Sequence, residues 1–155
     1  MSGIMNIADF ITPDRTVANI AAVDKPRLLA ELARWAAAAT GLPAPDIQEA
    51  LTAREKLGST GVGGGVAIPH ARLTGLDRFY GLFARLDRPV DFDAIDEQPV
   101  DLVCLLLAPQ NAAKDHLQAL AAVSRRLHTR HMGDRLRKAP DAAALHALLI
   151  GEEVK

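Results

Sequence analysis

The stretch Val100-Asp101-Leu102-Val103-Cys104-Leu105-Leu106-Leu107-Ala108-Pro109 decides the fold. From Leu102 to Ala108 every position is apolar, so a strand here carries apolar side chains on both of its faces. Such a strand belongs in the middle of a sheet that helices cover on both sides. Pro109, which has no N–H to give a ladder, ends it. Cys104 sits inside the run as a small buried hydrophobe, and as the single cysteine it can form no internal disulfide.

Working outward, Phe79 to Leu86 reads as a second strand. Val66-Ala67-Ile68 reads as a short strand ended by Pro69, and Arg15 to Ile20, after Pro13-Asp14, as a weakly alternating one. Residues 24 to 41 read as a helix: Asp24 caps it, Pro26 suits a first turn, Leu28, Leu29, Leu32, Trp35 and Ala36 recur at helical spacing, and Gly41 stops it. A second helix follows Pro43 and Pro45, from about Asp46 to Leu57, stopped by Gly58. Residues 112 to 128 form a third, with Leu117, Leu120, Ala121, Ser124 and Leu127 on one face; shorter helices near Asp134 to Lys138 and Asp141 to Ile150 close the chain. With no internal repeat and no linker, the expectation is a single α/β domain of three layers, a mixed β-sheet flanked by helices on both sides.

The totals agree. A chain of 155 residues is the size of one domain and buries roughly 68–70% of the surface that the unfolded chain exposes. With 18 basic against 19 acidic residues and 49% apolar content, the chain is neither disordered nor attracted in bulk to nucleic acid or anionic lipid. The start Met1-Ser2-Gly3-Ile4-Met5 lacks the charged and apolar regions of a signal peptide, and no run approaches the ~18 apolar residues of a membrane span. A cytoplasmic protein without membrane insertion is expected. The basic residues are 13 Arg and 5 Lys, and Arg is the side chain that grips phosphate or carboxylate as a planar fork.

Chemistry concentrates between Arg54 and His70. Five of the eight residues from Gly58 to Gly65 are glycines, yet Val66 and Ala67 stand where a nucleotide-binding loop needs Lys and Ser or Thr, and a dinucleotide fingerprint lacks its third glycine. What remains is a loop with free backbone N–H groups and the hydroxyls of Ser59 and Thr60, suited to an oxyanion, or else a plain connector. His70 follows Pro69 directly. A neutral imidazole there can attack phosphorus and hold the phosphoryl group as a labile phosphoramidate, or it can be structural. Arg54 falls three residues after Leu51 on the inward stripe, so it needs a partner: phosphoryl oxygens, or a structural carboxylate. His116 lies near the start of the third long helix, where an anion is favoured, or it is a solvated first-turn residue. His128 and His131 are three apart but lack a third metal ligand, and His146 reads as a boundary residue. Arg125, Arg126, Arg130, Arg135 and Arg137 form either a docking surface or an ordinary solvated helix face.

The run from Arg54 to His70, Arg-Glu-Lys-Leu-Gly-Ser-Thr-Gly-Val-Gly-Gly-Gly-Val-Ala-Ile-Pro-His, closely resembles the active-site segment of the IIA proteins of the bacterial phosphotransferase system, in the mannitol, fructose and nitrogen-related class. Phe92 to Leu102 and His116-Leu117-Gln118-Ala119-Leu120 are similar to the nitrogen-related branch, and the likeness covers residues 7–150. The resemblance implies that His70 accepts a phosphoryl group from a histidine-containing phosphocarrier protein of the nitrogen branch. It further implies that His116 is the second active-site histidine and Arg54 the site arginine. Ser59, Thr60 and Gly61 would then hold phosphoryl oxygens as the carrier docks over an apolar rim. No metal, nucleotide or other cofactor is implied, and regulated partners would include potassium transporters or sensor kinases. The alternatives are a sugar-specific IIA component that passes phosphate to a fructose or mannitol permease subunit, and a pure binding module. Gly64 departs from the family, which commonly carries Asn there, and this points to a looser loop.

Overall fold

A computed structural model describes residues 6–151. The first five residues, where the absence of a signal-peptide start was read, lie outside them. Two short 3-10 turns, Ile7–Asp9 and Pro13–Arg15, lead into β1 (Thr16–Ile20), α1 (Lys25–Thr40) and α2 (Ala44–Lys56). Then come β2 (Gly61–Gly63), β3 (Val66–Ala67), β4 (His70–Leu73), β5 (Tyr80–Val90) and β6 (Val100–Pro109). Three helices end the chain: α3 (Ala113–Leu127), α4 (Met132–Lys138) and α5 (Ala142–Ile150).

The sheet is mixed and open, in the order β1-β5-β6-β3-β2, with β4 also paired to β6 beyond β3. The strand at its centre, β6, runs antiparallel to β5 and parallel to β3 and β4. Its alternation builds both cores. Val103, Leu105 and Leu107 pack with Leu28, Leu32, Ile47 and Leu51 of α1 and α2. Leu102, Cys104 and Leu106 pack on the opposite face with Ala119, Val123 and Leu127 of α3, Leu136 of α4 and Leu145 and Leu149 of α5. Each such leucine removed from water contributes about 1.5–3 kcal/mol, and both faces of one strand collect it. Three layers are thus present, as the all-apolar strand required.

Asp24 caps α1 by accepting the Arg27 N–H at 2.9 Å, and Gly41 closes it at φ 80°. Helix α2 begins earlier than expected, at Ala44, because Pro43 supplies the cap position and Pro45 is accommodated in the first turn. Strand β5 runs past Leu86 to Val90, since a bulge between the Arg85–Leu102 and Val90–Val100 pairs absorbs Pro89. Two strands were not anticipated. The glycine stretch is no loose loop: β2 and β3 pair antiparallel as a hairpin whose turn glycines, Gly63, Gly64 and Gly65, have φ of 101°, 69° and 78°. Past Pro69 the chain resumes as β4, four residues beside Leu106 to Pro109.

Candidate functional site

His70 is the first residue of β4, at the outer edge of the sheet, level with Leu106. Its neighbours Ala71 and Leu73 are buried against the α1–α2 side, so the strand's period of two leaves His70 and Arg72 together on the other face. Arg54 reaches this edge from the last turn of α2, and His116 from the first turn of α3. Each of the three layers contributes one of these side chains.

The hydrogen bonds determine the His70 tautomer. Nδ1 lies 2.9 Å from the Ile68 carbonyl oxygen, which can only accept, so Nδ1 carries the proton and donates it. Nε2 keeps its lone pair and accepts the Nε–H of Arg54 at 3.2 Å. The same guanidinium donates through Nη1 to the Gly58 carbonyl at 2.8 Å. Burial, helped by the Arg54 charge, holds His70 below the ordinary imidazole range, while the Ile68 carbonyl and Glu55 pull the other way. His70 is therefore neutral near pH 7, with the nucleophilic nitrogen turned to the cavity.

His116 stands edge-on to His70, ring centroids 5.3 Å apart and planes at 74°. Only 7% of it is exposed, and its Nε2 has no hydrogen-bond partner among the described residues. Burial first, then the charges of His70 and Arg72, push its pKa down to about 4. A buried polar atom without a partner is costly, and this one belongs to a residue that lines the cavity shared with His70. The shared cavity is open, about 400 Å³, and lined by Ala50, Ala53, Arg54, Leu57, His70, Ala71, Arg72, Gln110 and His116. No carboxylate of the described residues lines it. Leu57 on its wall is 84% exposed, and Leu117, next to His116, is 69% exposed, which gives the cavity an apolar rim.

Ser59, Thr60 and Gly61 are not among the lining residues, and their polar groups hold the loop itself. Ser59 Oγ donates to the Phe92 carbonyl at 2.7 Å and accepts the Gly61 N–H at 3.0 Å. The Thr60 N–H donates to Glu55 Oε1 at 3.0 Å, and its hydroxyl donates to the same carboxylate. Lys25 balances Glu55 with an ion pair of 2.9 Å. Val66, which follows the turn glycines, pairs at Leu102 and His70 pairs at Leu106, so the two stand about 13 Å apart along β6 at ~3.3 Å per residue. The glycine turn is anchored separately: Gly64 donates its N–H to Asp96 at 3.0 Å, and its carbonyl accepts from Arg137, which also clasps Asp101.

Arg72 and Gln110 are the site residues that sequence reasoning missed. Two-residue spacing from His70 is the signal, and it has meaning only once residues 70–73 are known to be a strand. The other histidines lie elsewhere in local bonds: His146 to the Ile11 carbonyl at 2.9 Å, and His128 to the Ser124 carbonyl at 2.9 Å, while His131 opens α4 at φ 65°. Among the described residues, no three His, Cys, Asp or Glu side chains gather as metal ligands. Of the arginines at the end of the chain, Arg126 and Arg137 bond inward, to the Leu148 carbonyl and to Asp101. No helix among the described residues is long and apolar enough to cross a membrane.

The chain is similar to known proteins along nearly all of its length. It is 48% identical over 145 residues to a nitrogen regulatory protein of Bradyrhizobium diazoefficiens, covering 94% of this chain and 95% of the relative. It is 42% identical over 150 residues to one of Pseudomonas aeruginosa, covering 95% and 96%. The crystal structure of the nitrogen regulatory protein IIA-Ntr from Neisseria meningitidis superposes with a TM-score of 0.88 at 36% identity, covering 92% of this chain and 98% of that one. The model of the phosphoenolpyruvate-dependent sugar phosphotransferase system EIIA 2 family matches residues 9–151, and with a three-layer fold around paired imidazoles the chain belongs to that family.

Proposed function

We propose that the protein is a phosphocarrier of the nitrogen-related phosphotransferase system and that His70 accepts its phosphoryl group from a histidine-containing phosphocarrier protein. The observation that carries this is the pairing of a Nδ1–H held by the Ile68 carbonyl with a Nε2 lone pair facing a cavity of cations and imidazoles. The 48% identity to a nitrogen regulatory protein supports the nitrogen branch over the sugar-specific ones.

The step balances without moving a proton. The His70 Nε2 lone pair forms the new N–P bond while the donor's N–P bond breaks, its electron pair returning to the donor nitrogen, so that a donor ring that starts as a phosphorylated imidazolium leaves as a neutral imidazole. The His70 ring becomes a phosphorylated imidazolium, and its Nδ1–H bond to Ile68 becomes charge-assisted. Arg54, whose Nε–H loses its acceptor when Nε2 bonds phosphorus, turns that donor to a phosphoryl oxygen. His116 in the tautomer with a proton on Nε2 supplies another donor. Ser59, Thr60 and Gly61 serve by holding Gly58 against Arg54; direct contact with the oxygens would require their bonds to Phe92 and Glu55 to open. The carrier seats on Leu57 and Leu117, and imidazole-to-imidazole transfer runs in both directions. Regulated partners, such as potassium transporters or sensor kinases, would then distinguish the two charge states of the surface.

The test is phosphoryl flow from phosphoenolpyruvate through the upstream carriers, followed by mass measurement. Wild type gains one acid-labile phosphate and His70→Ala gains none. An equal gain in the variant overturns the assignment. Adding membranes with fructose or mannitol discriminates the sugar-specific reading, which alone predicts sugar-dependent loss of that phosphate.

A further inference from the structure

We propose that Arg72 is a second phosphoryl-binding guanidinium, acting on the group carried by His70 from the side opposite the contribution of α2. This rests on the assignment of His70 as the acceptor. Four observations carry it. First, Arg72 follows His70 by two residues on β4, so both side chains leave the same face, about 6.6 Å apart along the strand at ~3.3 Å per residue. Second, Arg72 lines the cavity that His70 and His116 share, and no carboxylate of the described residues does. Third, Arg72 forms no ion pair among the described residues, and its one hydrogen bond is a long 3.4 Å contact to the Gln110 carbonyl. Fourth, the same cavity is lined by His116, whose Nε2 is buried and without a hydrogen-bond partner among the described residues. An exposed arginine in a cavity that no described carboxylate lines is a cation free to meet an anion, and the anion that enters here carries two formal negative charges on its oxygens. Arg54 keeps one arm on Gly58, which leaves a dianionic group short of donors unless Arg72 turns from Gln110 to meet it.

The distinguishing measurement is the equilibrium constant of transfer, not its rate. For phosphorylated donor plus free protein in balance with free donor plus phosphorylated protein, the docked complex is an intermediate and cancels. A residue that merely docks the donor changes forward and reverse rates alike and leaves the constant untouched. A residue that grips the phosphoryl group stabilises one side of the balance. Arg72→Gln is expected to lower the constant about tenfold, the scale of one hydrogen bond between charged partners, and Arg72→Lys to restore most of it. The readout is the ratio of phosphorylated to free protein at a fixed donor ratio, for wild type and both variants, with the phosphate mapped to His70 in each. A constant for Arg72→Gln within twofold of wild type overturns the proposal, whatever happens to the rates. Failure of the underlying assignment looks different: phosphate then maps away from His70 in wild type itself.

Discussion

At the residue scale, one carbonyl determines which nitrogen His70 presents. Because the Ile68 oxygen can only accept, His70 holds its proton on Nδ1 and offers Nε2. Its lowered pKa leaves that lone pair free in a larger fraction of molecules than in an ordinary histidine at the same pH. The midpoint of phosphoryl acceptance against pH should therefore lie below 6.5; quench-flow measurements of acceptance with a saturating donor check this, and a midpoint above 6.5 contradicts it. His116 gives a second pH prediction. The unfolded chain protonates this histidine near pH 6.5 and the folded chain near 4, so between those values the unfolded state binds more protons. Stability is lost as pH falls through that window, by about 2 kcal/mol for this residue between pH 7 and 5. In urea unfolding at the two pH values, His116→Gln should lose less stability than wild type, and an identical loss would rule the effect out.

At the element scale, the glycine hairpin separates two kinds of position. Gly65, at φ 78°, is crowded: an added Cβ would lie 2.4 Å from Arg137 Nη2 and 3.0 Å from Asp101 Oδ1. Gly65→Ala should cost about 1–3 kcal/mol in urea unfolding, from left-handed strain and a disturbed Arg137–Asp101 clasp. Gly64, at φ 69°, has open space around its Cβ direction, and Asn tolerates that conformation. Gly64→Asn should shift stability by less than about 0.5 kcal/mol and leave phosphoryl acceptance unchanged, so the glycine found there is a departure of little consequence. The same hairpin shows where sequence reading stops. Strand β6 was legible because both of its faces are apolar, and α1 because cap, stripe and stop agree along the chain. Strand β2, Gly-Val-Gly, and β4, four residues behind a proline, carry too few side chains to show a period. Missing β4 hid Arg72. The hydroxyls of Ser59 and Thr60 looked available because their partners, the Phe92 carbonyl and the Glu55 carboxylate, are assigned by tertiary packing or by a turn that spacing does not reveal.

At the scale of the whole molecule, the site exists because the layers meet at an edge. Arg54 arrives from the α1–α2 layer, His116 from the α3–α5 layer and His70 from the sheet between them, where β4 leaves β6 without a further neighbour on that side. The motif and its family resemblance singled out both histidines and Arg54 as candidates; their convergence at an edge strand was not legible. A dianionic phosphoryl group on a ring that becomes an imidazolium adds about 1 net negative charge to a chain whose formal net charge is -1, so the modified form should migrate faster toward the anode in a native gel at pH 8. Unchanged mobility on full phosphorylation would be inconsistent with a surface charge switch. The most direct measurement places the phosphorus atom itself: 15N-labelled protein is phosphorylated through the upstream carriers, and the phosphorus–nitrogen coupling is read by NMR. The coupling is expected at Nε2 of His70, with Nδ1 still protonated against the Ile68 carbonyl. Coupling to Nδ1 of His70, or to either nitrogen of His116, would contradict it.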